Sequence, residues 1–344
     1  MDYNNMKKGD LCLVTGITGY LASWVGKYLL QDGFRVRGTM RNINDSKKVK
    51  MIKENLPGIE LVEADLQKEK GWKEAVEGCK WVFHVASPQA KKTEKNLIAS
   101  ATQGTKYALQ ASFQSNTVKK VVVTSSESAI IFGHPSTKTT FTENDWTNPK
   151  NISEYFRSKT LAEKIAWDMV QNKVQNPNNV KLSTINPVFI FGPSCLPNVS
   201  FTQGWIKKIA EGKEPMQPDM SADVVDVRDC ARMHITIMDK KETNGNRHFS
   251  IGARGKFVDL PTAIRHNFSH LGFAPSSKVM PKYMMWIGKL FSKEAASAYP
   301  LTGKTIRRES IHTDVYTYQH TNFDTIIKET VEDLLAKNAL VSKV

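Results

Sequence analysis

Tyr155 and Lys159 stand four residues apart in SEYFRSKTLAEKIAWD, one helical turn from each other. A free tyrosine has a pKa near ~10 and is a poor base at neutral pH. A lysine ammonium one turn on, along the same helix face, can stabilise the phenolate and lower that value. Such a pair suits a reaction in which a carbonyl oxygen gains negative charge and must be protonated. Upstream, Ser126 ends the apolar run KKVVVTSSES, where its hydroxyl can donate to that oxygen and orient it. The order predicts Ser126, Tyr155 and Lys159 as catalytic residues, with Ser126 and Tyr155 also touching substrate. A lone tyrosine–lysine pair would read as an exposed helical pair; the serine at a strand end and a glycine turn before it favour chemistry.

That turn follows the first apolar run, in LCLVTGITGYLAS. Gly16 and Gly19 sit between a predicted strand and helix, the context in which glycines mark a dinucleotide site. Glycine lets the backbone close up on a pyrophosphate, and the helix N-terminus then binds the anion. Gly16, Thr18, Gly19, Tyr20 and Leu21 are therefore candidate cofactor residues. The spacing is Gly-x-x-Gly-x-x-Ala, ending at Ala22. An NAD site offers an acid ~20 positions after its first glycine for the ribose hydroxyls. Here that window reads RVRGTMRN and supplies Arg37 and Arg41, with Lys47 and Lys48 close behind. Guanidinium and ammonium attract the 2′-phosphate that a carboxylate would repel, so the expected cofactor is NADP(H). Asp65, in EADLQ, can accept from the adenine amino group or cap a helix. His84, inside the apolar run WVFHVA, reads as a packed histidine.

These residues need elements to hold them, and the first half of the chain alternates strands and helices. Strands are expected at 11–15, 34–40, 59–64, 81–86, 119–126 and 181–193. Helices are expected at 20–31, 46–55, 68–77, 91–114 and from Tyr155 to about 172. The pattern predicts an α/β fold, a doubly wound parallel sheet of Rossmann type with its ligand at the carboxyl ends of the strands. Beyond about 190 it loosens into a smaller, mostly helical C-terminal part, with strands at 224–227 and 247–251 and helices at 229–239, 259–270, 282–292 and 322–337. The expected division is 1–190 for the cofactor, with returning segments near 224–251, and 191–344 mainly for substrate. PKYMMWIGKLFSK, at 281–293, is amphipathic with flanking lysines; its apolar face is expected to meet the core, with docking on a membrane surface as the alternative.

The 344 residues carry a net charge of +14, yet the lysines and arginines are dispersed and alternate with glutamate. No recognition-helix or zinc-finger pattern occurs, so nucleic acid is not an expected partner. No apolar stretch approaches a membrane span, and the polar start MDYNNMKKGD lacks the core of a signal peptide. Cys12, Cys79, Cys195 and Cys230 lack metal or redox spacing. Four reduced thiols, no metal and a cytoplasmic location are expected.

The chain resembles the extended short-chain dehydrogenase/reductases, in the branch of dihydroflavonol reductases, cinnamoyl-CoA reductases and NADPH-dependent aldehyde/ketone reductases. The resemblance rests on TGITGYLASW, VRGTMR followed by KKVK, EADL, GCKWVFHVASP, VVVTSSESA, YFRSKTLAEKIAW, NPVFIFGP and VVDVRDCARMHI, from about residue 11 to 240. The C-terminal third resembles the family only in helical outline. The resemblance implies Ser126, Tyr155 and Lys159 as the catalytic set, and Arg41 and Lys48 at the 2′-phosphate. It implies Asp65 and Leu66 at adenine, Val85, Ala86 and Ser87 along the cofactor, and Pro187, Val188 and Phe189 at the nicotinamide. The serine assignment could slip to Ser125. Flavonoid reductases of this type carry an asparagine where Ile131 stands, and SEYFRSK lacks the Asn-Trp-Tyr-Cys-type signature of cinnamoyl-CoA reductases. Ile131, with Phe132 beside it, becomes the expected substrate contact and favours a less polar aldehyde or ketone.

The leading expectation is an NADPH-dependent oxidoreductase that reversibly converts an aldehyde or ketone to an alcohol. Alternatives are an NAD-retaining nucleotide-sugar epimerase or dehydratase, a 3β-hydroxysteroid dehydrogenase, and a non-catalytic NADP sensor on the same fold.

Overall fold

The computed structural model describes residues 3–88, 96–315, 320–342 and 344. Five strands in the first half alternate with helices: β1 Leu11–Val14, α1 Tyr20–Gln31, β2 Arg35–Met40, α2 Ser46–Asn55, β3 Glu60–Glu63, α3 Trp72–Val76, β4 Trp81–His84, α4 Leu97–Gln114 and β5 Lys120–Thr124. The predicted residues 91–95 of α4 lie outside the described residues. Then come β6 Thr140–Phe141, α5 Glu154–Gln171, β7 Lys181–Pro187, β8 Phe189–Phe191, α6 Phe201–Ala210, β9 Val224–Asp226, α7 Val227–Asp239 and β10 Arg247–Ser250. The rest is α8 Asp259–Phe268, α9 Lys282–Phe291, α10 Lys293–Ala298, β11 Arg307–Arg308 and α11 Phe323–Ala336.

Seven strands form one sheet in the order β10-β7-β5-β4-β1-β2-β3, every pairing parallel. A parallel sheet needs both faces covered, and its central strands accordingly carry almost only buried side chains. One face packs Val14, Val36, Phe83, Val122 and Ile185 toward α1 and α7. The other packs Leu13, Val82, Val121 and Leu182 toward α4 and α5. Chain order reverses between β1 and β4, the switch point where ligands bind in such sheets.

The single strand expected over 181–193 is two. β7 ends at Pro187, and Phe189–Phe191 leaves the main sheet to pair in parallel with β9. Proline has no amide hydrogen to offer a ladder, so the chain can change partners there. Phe191 and Val224 of this pair join a separate core with Ile206 of α6, Ile264 of α8 and Ile327 of α11. The α6 helix went unpredicted because prolines flank it; Ser200 and Gln203 close its start as a capping box. The strand at 247–251 returns to the main sheet as β10, its outer edge. A second correction concerns α9. Its apolar stripe faces solvent, and Met285 is its one buried residue.

Candidate active site

The turn after β1 forms because Gly16 takes a left-handed backbone (φ +67°) that β-branched neighbours would resist. A Cβ on Gly16 would lie 3.0 Å from the Ala86 Cβ, so only glycine lets the turn approach the end of β4 this closely. Two hydroxyls lock the turn: Thr39 accepts from the Gly16 amide at 2.8 Å, and Thr15 accepts from the Ala86 amide at 2.9 Å. Gly19 caps α1 without any side chain. The first-turn amides of Tyr20 and Leu21 therefore keep their donors toward the turn, as a pyrophosphate requires. Thr18 is half-buried in this turn, and the Tyr20 hydroxyl donates to the Gly192 carbonyl at 2.6 Å, binding the turn to the chain after β8.

The basic residues of the second strand separate by role. Arg37 is consumed by structure: it donates to Glu60 and to the carbonyls of Ala75 and Glu77. Lys48 pairs with Asp45 at 2.7 Å, an exposed pair of the kind that rearranges cheaply. Arg41, just past β2, is exposed. Asp65 accepts from the Gln67 amide at 3.1 Å, closing a turn, while Gly71 is the residue that caps α3. Leu66 packs on Gly104 of α4, where a Cβ would meet its side chain at 2.5 Å. Val85, Ala86 and Ser87 continue β4 past the switch point, half-buried. Pro187 and Val188 are buried where β7 ends, and Phe189 joins an aromatic group, tilted against Trp205 and edge-on to Phe257. The cradle, the start of α1 free of any side-chain cap and an exposed arginine just past the second strand fit a dinucleotide carrying a 2′-phosphate.

Across the switch point, β5 and α5 bring Ser126, Tyr155 and Lys159 together. The α5 helix starts where Ser153 accepts from the Phe156 amide, placing Tyr155 in the first turn. Ser126 lies near the Tyr155 hydroxyl and acts to lower its pKa, while the Ser126 hydroxyl itself donates to Ser128 at 3.1 Å. The Lys159 ammonium donates to Ser87 at 2.9 Å and lies 5.9 Å from the Tyr155 ring centre. The expectation that lysine lowers the tyrosine pKa is not met here. Burial raises it first, the nearby Glu127 carboxylate adds to the rise, and Ser126 opposes both. The hydroxyl is thus held as a phenol, the state from which it can give a proton. Burial lowers Lys159 to about 8, with Glu163 pulling the other way.

The two serines diverge because successive residues point to opposite sides. Ser126 lies near Tyr155 and bonds Ser128, whereas Ser125 donates to the buried carboxylate of Glu163. Ile131 is 2% exposed and packs with Ile130, Phe141 and Leu301, so its side chain is part of the wall's packed core. Phe132 stacks on Phe156 with centroids 3.8 Å apart, beside Tyr155. His84 is buried as expected, bonded to Thr15 at 3.2 Å and lowered to about 4 by burial and by Lys159.

Sequence reasoning missed the support beneath this set. Glu163 lies one turn beyond Lys159 and accepts from Thr184 at 3.0 Å, from Asn186 at 2.7 Å and from Arg247 at 2.6 Å. Asn186 also donates to the Ser126 carbonyl at 3.0 Å, so the carboxylate fixes the serine through one intermediary. Glu163 and Lys159 border one small cavity with His84, Ser87 and Thr105. A Tyr-x-x-x-Lys-x-x-x-Glu spacing was the available signal. For Arg308 there was none. It comes from β11, is 4% exposed, and pairs with Glu127 and with Asp223 at 3.0 Å.

Among the described residues no cluster of metal ligands occurs, all four cysteines are free thiols, and no helix is long and apolar enough to cross a membrane. A profile of the NAD dependent epimerase/dehydratase family matches residues 12–252. The chain is 32% identical over 349 residues to a cinnamoyl-CoA reductase of Medicago truncatula, covering 96% of this chain and 97% of that one. It is 35% identical over 253 residues to tetraketide alpha-pyrone reductase 1 of Arabidopsis thaliana, covering 69% and 75%. Among solved structures, Gre2 of Candida albicans in complex with NADPH superposes with a TM-score of 0.73 at 26% identity, covering 95% of this chain and 99% of that one. The likeness therefore extends through the C-terminal third, where no motif was readable.

Proposed function

From the premise that the chain belongs to the NAD-dependent epimerase/dehydratase family of extended short-chain dehydrogenase/reductases, we propose that it is an NADPH-dependent reductase of aldehydes or ketones. The observation that carries the reading is that Tyr155 and Lys159, one helical turn apart with Ser126 nearby, meet the glycine turn: Lys159 donates to Ser87, the neighbour of the Ala86 that Gly16 approaches. When bound, NADPH supplies the hydride that reaches the carbonyl carbon. Tyr155 gives its hydroxyl proton to the carbonyl oxygen as the carbon–oxygen double bond becomes single. Ser126 donates to that oxygen and holds it within reach. Lys159, one turn from Tyr155 and donating to Ser87, binds the ribose hydroxyls. Asp65 and Leu66 flank adenine, Val85 to Ser87 and Pro187 to Phe189 line the remaining cofactor, and Arg41, with Lys48 released from Asp45, meets the 2′-phosphate. The stacked Phe132 and Phe156 make the wall beside Tyr155 apolar, which suits a weakly polar carbonyl. Residues 1–190 with their returning segments serve the cofactor, and the remainder shapes the substrate side. Free, mostly buried thiols suit the reducing cytoplasm.

The test is oxidation of NADPH against NADH over a panel of aldehydes and ketones. Turnover with NADPH preferred is the expected result. Tightly retained NAD without net turnover would replace this reading with an epimerase or dehydratase. Two further outcomes are expected. Arg41→Ala should weaken NADPH binding roughly tenfold or more and leave NADH nearly unchanged, because one charge-assisted phosphate contact is lost; equal losses for both would discredit the phosphate assignment. The pH dependence follows from Lys159, which must be a cation to act. The kcat/KM for NADPH, which reports the free enzyme, should be full below about 8 and fall as the pH rises through that value. A profile flat to pH ~10 would show that Lys159 is not the titrating group.

A further inference from the structure

The amphipathic α9 presents its apolar side outward. Tyr283 is 64% exposed, Trp286 48%, Ile287 44%, Leu290 62% and Phe291 85%. At 3.6 residues per turn these five occupy one continuous sector of roughly 140°. Five large side chains grouped on one exposed helix face differ from scattered surface hydrophobics and mark an interaction surface.

Charge says what it meets. The helix KYMMWIGKLF contains no acid, and Lys282 and Lys289 border the stripe. Lys278 and Lys293 stand exposed just before and after it. Between residues 276 and 304 five lysines face a single acid, Glu294. The Lys289 ammonium lies 5.5 Å from the Trp286 ring centre and 4.7 Å from that of Tyr299. The charge thus sits over aromatic faces beside the stripe, a cation–π contact that keeps a positive group at the edge of the apolar surface. The combination fits an apolar layer capped by anions.

We propose that α9 seats this protein on an anionic lipid surface, with Trp286, Leu290 and Phe291 entering the headgroup–acyl boundary and the lysines meeting the headgroups. A second copy of the chain suits the face less well. An isologous pairing would set the lysine rims of both copies against each other, with only Glu294 to receive them.

The test is co-sedimentation of the full chain with phosphatidylcholine vesicles, with and without phosphatidylserine. Binding to the anionic vesicles is expected, with affinity at least about tenfold weaker for phosphatidylcholine alone and falling as salt rises. The double variant Leu290→Glu, Phe291→Glu alters only exposed side chains. It should lose about tenfold or more in vesicle affinity while its thermal midpoint and NADPH affinity stay unchanged. No binding to anionic vesicles, or binding undiminished in the variant, would overturn the proposal. So would a wild-type dimer on size exclusion that the variant dissolves without any lipid binding by either protein, since the occupant would then be a second copy.

Discussion

Tyr155→Phe is expected to lower carbonyl turnover roughly 10²–10⁴-fold while NADPH affinity stays within about twofold. The substitution deletes one oxygen and keeps the ring, so the edge contact with Phe156 and the start of α5 are preserved. What disappears is the phenol beside Ser126, held protonated by burial and by Glu127. Ser126 and Lys159 would still orient the carbonyl, which is why some turnover should remain. Stopped-flow NADPH oxidation measures the chemical step, and fluorescence of bound NADPH measures affinity. Turnover within a few-fold of wild type would remove Tyr155 from the mechanism. Lost affinity with intact turnover per bound cofactor would assign it to binding instead.

Glu163→Gln should cost about 3–5 kcal/mol of folding stability, the largest stability effect foreseen here. The carboxylate is buried and faces donors alone: Ser125, Thr184, Asn186 and the Arg247 guanidinium. An amide neutralises the partner of a buried arginine and turns one acceptor into a donor aimed at other donors. Arg247 keeps the carbonyls of Glu143 and Ala129 but loses its countercharge. Urea unfolding of Glu163→Gln, Arg247→Met and the double variant forms the appropriate cycle. The double variant should be less destabilised than the sum of the singles, because no charge is left unpaired. A single variant within about 1 kcal/mol of wild type would mean that the hub does not hold the fold. Because Asn186 links Glu163 to the Ser126 carbonyl, the folded fraction of Glu163→Gln should also lose turnover more than NADPH affinity.

Much of this architecture was readable from periodicity. The α1 and α2 helices occupy the predicted 20–31 and 46–55, because glycine or aspartate precedes each and the apolar spacing breaks where each stops. Strands of the central sheet read as continuous apolar runs because helices cover both faces. The site set was legible where its parts are local: two glycines in one turn, tyrosine and lysine in one helical turn, a serine at one strand end. The second core was not legible. The β8–β9 pair joins residues more than thirty positions apart through two short strands, too brief for any period to register.

Sequence alone determined the strands of the sheet, the glycine turn after β1 and the spacing that puts Tyr155 one turn from Lys159, since each follows from neighbours a few bonds apart. Tertiary structure decided that Ser125 of the two adjacent serines is taken by Glu163, that Arg37 is spent on Glu60 while Arg41 stays exposed, and that Arg247 and Arg308 are buried beneath the site. It also decided that α9 turns its apolar face to solvent. The physical reason is the same in each case. Propensity and period depend on the local chain, whereas a side chain's partner and its desolvation depend on which distant segments close over it. Those segments are set by packing across the whole fold.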